Sequence, residues 1–119
     1  MKKHLLRLII LLTCSLMACS CALFRDQLDK KSGFSNYLQA TEDHIRNEAW
    51  DEAGISLGKA MKAWKQVKPY LQIDIDHDYV NDIETDFIRL RGNIETKAKP
   101  DSLALILVIQ DNWRNIGSM

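Results

Sequence analysis

Only two of the 119 residues are proline and only three are cysteine. Two prolines suit one small domain that remains after any targeting segment is removed. The motifs that usually carry chemistry are missing as well. Beyond residue 18 there is no glycine-rich phosphate loop, no serine-centred nucleophile elbow, no Cys-x-x-Cys pair and no His-Glu-x-x-His. With no spacing that fixes an acid, a base or a nucleophile, no enzyme is expected. An excess of charge is lacking too, since 16 basic residues balance 16 acidic ones. That balance hides an asymmetry, because Lys2, Lys3 and Arg7 all precede residue 18 and no acidic residue does. The remainder holds 13 basic residues against 16 acidic, a net of −3, which gives no electrostatic reason to bind nucleic acid.

What the first 18 residues do have is the anatomy of an export signal. A basic start leads into a short apolar core, Leu8 to Leu12, continued through Thr13 to Met17. The segment from Leu5 to Phe24 with Arg7 near its start falls short of the roughly 20 apolar residues of a spanning helix. At the end of the core, Leu16-Met17-Ala18-Cys19 resembles a bacterial lipobox, with Ala18-Cys19-Ser20-Cys21 as a weaker second register. The resemblance implies cleavage before Cys19 and attachment of diacylglycerol to its thiol, with acyl chains such as palmitate. It divides the chain into a lipoprotein signal peptide (1–18), a lipidated tether (19–33) and a folded domain (34–119). Two acyl chains meet the requirement of stable anchoring for more than one. The basic start places the domain on the outer side of the cell membrane. With Cys14 removed and Cys19 acylated, Cys21 is the only thiol left, so no disulfide can staple the domain. Ser20 to Gly33 is mostly polar and reads as a tether, with Phe24 and Leu28 on one loose helical turn.

Beyond Gly33 the apolar residues recur at steps of three and four. The longest stripe is Trp50, Ala53, Leu57, Ala60, Trp64, Val67 and Leu71, one face of one helix. Before it, Phe34, Leu38, Thr41 and Ile45 mark a helix to about Asn47, with Ser35 as a plausible N-cap and Asn47 suited to a left-handed end. After it, Lys68-Pro69 marks an end or a kink. Val80, Ile83, Phe87, Leu90 and Ile94 mark a third helix from about Asp76 to Lys97. Lys99-Pro100 breaks the chain, and Asp101 or Ser102 caps a fourth. These four helices with short connections predict an all-α, compact antiparallel bundle.

Several features invite a functional role. Gly54 and Gly58, one turn apart, suggest close approach of another backbone, through core packing or at a docking face. Leu103 to Ile109 is apolar all round, so that helix is surrounded or presents a second face through residues such as Leu105 and Ile109. Asp74, Asp76, His77 and Asp78 form the one acidic cluster. Alternate aspartates resemble the start of a calcium loop, but Tyr79 stands where that loop needs glycine and Thr85 where it needs a bidentate glutamate. His77 has no second ligand fixed by spacing, so no metal and no cofactor are expected. The best expectation is a lipid-anchored accessory or interaction module for an unidentified protein of the cell envelope. The alternative is an ion- or ligand-binding protein using Asp74 to Asp78.

Trp50-Asp51-Glu52-Ala53, with Trp64 late in the same helix and Asp76-His77-Asp78 opening the next, resembles domain-of-unknown-function family 4363, small exported helical proteins of Gram-positive bacteria. The resemblance implies an all-α fold and no assigned activity. Trp50-x-x-Ala53 with Leu57 and Ala60 also resembles the second helix of a tetratricopeptide hairpin, but no second copy follows at the required period.

Overall fold

The computed structural model describes residues 1–71 and 77–116, and the side chains of all of these except 17–22 and 77. Among the described residues five helices follow one another: α1 (Lys2–Ser32), α2 (Phe34–Arg46), α3 (Trp50–Leu71), α4 (His77–Glu95) and α5 (Lys99–Asn115). The fold is all-α. Helices α2 to α5 close into a ring of four neighbours, each packing on the next and α5 packing back on α2.

The stripes find one another as their spacing demands. Phe34, Leu38, Thr41 and Ile45 of α2, every stripe residue of α3 from Ala53 to Leu71, and Val80 to Ile94 of α4 are all buried. Ile106, Ile109, Trp113 and Ile116 complete the core from the last segment. Phe34 sits at its centre, with ring centroids 4.9 Å from Trp113, 5.6 Å from Trp64 and 6.1 Å from Phe87. Truncating such a buried aromatic costs about 3–5 kcal/mol. Thr41 is tolerated in the stripe because its hydroxyl donates to the Tyr37 carbonyl at 2.7 Å. Trp50 is half-buried against the same core.

Two of the connections are six-residue reversals of one kind. Ala49 N–H donates to the His44 carbonyl at 2.9 Å and Glu48 N–H to Ile45 at 3.0 Å. Ala98 N–H likewise donates to Asn93 at 2.8 Å and Lys97 N–H to Ile94 at 3.0 Å. Both are Schellman ends, and the left-handed residue in each is Glu48 (φ 56°) or Lys97 (φ 57°) where glycine is usual. Asn47, suited by type to the left-handed position, instead has φ −88°. The cap of α5 is Ala98, three residues ahead of Asp101. Ser102 therefore lies inside the helix, where its hydroxyl is fully buried with no hydrogen-bond partner. Pro69 lies inside α3, which runs on through it to Leu71.

The largest departure concerns the tether. Residues 19–32 belong to one unbroken helix of 31 residues. That helix and the 13 residues of α2 together rise about 66 Å, matching a longest dimension of 67 Å against 24 Å in the other two. The two helices thus run on in nearly one direction, with Gly33 (φ 73°) as the joint. The radius of gyration, 18.1 Å, accordingly exceeds the roughly 13–14 Å of a compact chain this long.

Candidate functional site

The second half of α1 docks on the bundle, where the Phe24 ring meets Tyr70 edge-on and three further side chains hold the helix. Leu28 packs against the core. The Arg25 guanidinium donates to the Arg114 carbonyl at 2.7 Å and, at 3.4 Å, to that of Ile116. Those carbonyls lie at the end of α5, where the helix leaves acceptors unsatisfied and its dipole favours a cation. The third is Asp29. One carboxylate oxygen accepts the Ser35 N–H at 2.8 Å and the other accepts the Ser35 hydroxyl at 2.5 Å. Trp113 N–H in turn donates to the Ser35 hydroxyl at 2.9 Å. Ser35 is thus not the cap of α2. Gly33 holds that position with no side chain to offer, and the preceding helix supplies the capping carboxylate instead.

Docking of α1 along the last turns of α3 leaves an open groove of about 530 Å³ between them. Leu28, Val67, Pro69 and Tyr70 supply its apolar walls, and Lys31 and Lys65 its charges. The lining contains no carboxylate, imidazole or thiol. A smaller cavity of about 150 Å³ opens beside the Ser35–Trp113 bond, near Leu38, Gln39 and Gln110.

One charged pair is built into the α3–α4 seam. Lys68 meets Glu84 at 2.6 Å, and the same Glu84 oxygen accepts the Trp64 indole N–H at 3.1 Å. The Lys68 hydrogen bond holds the Glu84 carboxyl below its ordinary value, with burial opposing and Trp64 assisting. Asp86 goes the other way. Burial pushes its carboxyl up, Arg89 at 3.8 Å opposes this and Asp82 adds to it.

The residues singled out from sequence scatter. Gly54 and Gly58 face outward on α3, and a Cβ at either would meet nothing within 4 Å. No backbone comes close to them, so core packing does not explain these glycines; the small residues buried on α3 are Ala53, Ser56, Ala60 and Ala63. Ile109 is fully buried and cannot serve a docking face, and Leu105 is half-buried against the core. The outward apolar residues of α5 are Leu107 and Val108, 41% and 45% exposed. Asp78 is exposed in the first turn of α4, while Asp74, Asp76 and the side chain of His77 lie outside the described residues. The side chain of Cys19 lies outside them too. Among the described residues no three His, Cys, Asp or Glu side chains gather as metal ligands. Among them, too, no helix is long and apolar enough to cross a membrane.

Sequence reasoning missed Arg25 and Asp29 altogether. Their only signal was position, a cation and an anion one turn apart on the face shared with Leu28.

The model of one protein family, the domain of unknown function DUF4363, matches residues 27–119. The chain belongs to that family. Among curated proteins and among solved structures, nothing matches it. The family match begins at Gln27, inside the segment read from sequence as a tether, and so takes in Leu28 and Asp29. The docked end of α1 is part of the DUF4363 domain.

Proposed function

We propose that this DUF4363 protein is a lipoprotein of the outer face of the cell membrane, anchored through Cys19, whose bundle acts as a non-enzymatic accessory module for another envelope protein. The observation that carries the reading is the sequence Leu16-Met17-Ala18-Cys19 at the end of a short apolar core, little more than one helical turn before Phe24, whose ring meets Tyr70 of the bundle. Cleavage there removes the exposed apolar half of α1 and keeps Arg25, Leu28 and Asp29, the residues that fasten the helix to the bundle. Diacylglycerol on the new N-terminus restores membrane affinity in place of the lost apolar segment. The accessory role is supported by the groove lining, whose apolar walls beside two lysines offer binding surface for a partner. Apolar residues left outside on three helices, Ile55, Ile88 and Leu107 with Val108, add contact surface for a partner.

Intact-mass analysis of the membrane-extracted protein tests the anchor. The expected species begins at Cys19 and carries a diacylglyceryl group, and Cys19→Ala accumulates as an unprocessed precursor. An unmodified Cys19, or a cytosolic pool still bearing Met1, refutes the reading. Cross-linking in cells from Leu107 and Ile55 tests the accessory role, which requires one recurrent protein adduct that Cys19→Ala weakens.

A further inference from the structure

We propose that the end of the bundle carrying Leu23, Phe24 and Tyr70 rests in the headgroup layer of the membrane, so that the lipid surface is itself a docking partner of the domain. The inference rests on the anchor at Cys19 and adds where the body of the protein sits. A flexible tether lets a domain drift away from the bilayer, but here the chain stays helical from Cys19 into the docked turns. Phe24 lies five positions along the helix from Cys19, a rise of about 7.5 Å. A bilayer of 40–45 Å with a hydrocarbon core of about 30 Å has a headgroup layer roughly 5–8 Å deep on each face. With the Cys19 lipid at the base of that layer, Leu23 lies within it and Phe24 at its outer edge.

The side chains at this level suit that position. Leu23, Phe24 and Tyr70 are 60%, 48% and 53% exposed, and the Phe24 and Tyr70 rings meet edge-on at 6.4 Å. An apolar pair with a phenolic tip belongs at a water–lipid boundary. The attachment is stiff, because Arg25 is tied to the end of α5 and Asp29 to the start of α2, leaving no slack by which the bundle could lift. Charge contributes little. Arg25 is engaged by carbonyls and by Asp26 at 3.1 Å, Asp26 and Asp78 are exposed near this end, and Lys30 and Lys31 stand about 17 Å from Cys19, beyond a Debye length of the headgroups. Contact is therefore apolar and indifferent to lipid charge.

The test uses the full lipidated chain in its own membranes. A photoreactive phenylalanine analogue replaces Tyr70 in one variant and Asn47, exposed at the opposite end of the bundle, in another. Intact mass first confirms acylated Cys19 in each. Irradiation is expected to give phospholipid adducts at 70 and none at 47. Inserting a long flexible Gly-Ser linker between Ala22 and Leu23 is expected to cut the yield at 70 severalfold while lipidation persists. No lipid adduct at 70 in protein with acylated Cys19, a protein adduct there instead, or equal lipid adducts at 70 and 47 overturns the proposal and leaves the anchor intact. An unacylated Cys19 overturns the anchor first and this inference with it. Reconstitution into wholly zwitterionic vesicles is expected to preserve the adduct at 70, and its loss there refutes the apolar mode of contact.

Discussion

Removing the Asp29 carboxylate tests whether the docked turn of α1 is integral to the fold. Asp29→Ala takes away the acceptor of the Ser35 N–H and of the Ser35 hydroxyl. Losing a helix cap costs about 1 kcal/mol, and losing a hydrogen bond to a charged acceptor costs roughly 1.5–3 kcal/mol. Ser35 keeps the Trp113 N–H as a partner and its hydroxyl can turn to water at the half-exposed site, so the lower end of the combined range applies, about 2–3 kcal/mol. For a domain of this size that lowers Tm by on the order of 10–15 °C. Asp29→Asn keeps one neutral acceptor and should lose about half as much. Circular dichroism during thermal and urea unfolding of the Cys19→Ser chain gives the values. A double-mutant cycle with Ser35→Ala should return a coupling of at least about 1 kcal/mol, since the residues are in direct contact. A loss below about 0.5 kcal/mol would show that the Asp29 carboxylate does not fasten α1 to the bundle, and strict additivity with Ser35→Ala would show that its bond to the Ser35 hydroxyl contributes nothing.

The other expectations concern backbone, core and charge. Glu48→Gly and Lys97→Gly should each stabilise by about 1 kcal/mol in urea titrations, because each relieves a left-handed residue at an exposed Schellman end. Gly54→Ala and Gly58→Ala should gain up to about 1 kcal/mol each with unchanged oligomeric state, and a loss would place a contact where none is seen. Ser102→Ala should be neutral or stabilising by up to about 1–2 kcal/mol in the same titration, since it removes a buried hydroxyl that has no partner. Glu84 and Asp86 should impose opposite pH dependences. The depressed Glu84 contributes stability that is present above its unfolded value and lost as pH falls through the folded one; at 38% exposure, solvent screening keeps it below about 1 kcal/mol. The raised Asp86 costs stability as pH rises past its unfolded value, so Asp86→Asn should raise the urea midpoint at about pH 7 and lose that advantage near pH 3.

The bundle was legible in the sequence wherever burial follows period alone. Every stripe residue from Phe34 to Ile94 except half-buried Trp50 is buried, because steps of three and four leave a helix no other face to cover. Ends were less legible, because caps are not always local. Ser35 has the right side chain for an N-cap, but Asp29 on the preceding helix takes its N–H. Ala98 caps α5 although Asp101 and Ser102 look better suited, because the Schellman end of α4 delivers the chain already turned. The glycines misled for a different reason. Spacing places Gly54 and Gly58 on one side of α3, yet that side flanks the stripe, and a Cβ at either position meets nothing within 4 Å. Residues 19–32 looked like a tether because their composition is polar, but Phe24 and Leu28 with two charged residues, Arg25 and Asp29, dock the helix on the bundle. The acidic cluster from Asp74 remains an expectation from sequence alone.

Arg25 joins the segment nearest the proposed anchor to the carbonyls of Arg114 and Ile116 at the end of α5, so residues some ninety positions apart in the chain are fastened at one spot. Tension applied at Cys19 is then shared between α1 and the end of α5 through the Arg25 guanidinium. Pulling the chain from residue 19 against a tag on the last helix should show a lower rupture force once Arg25 becomes alanine.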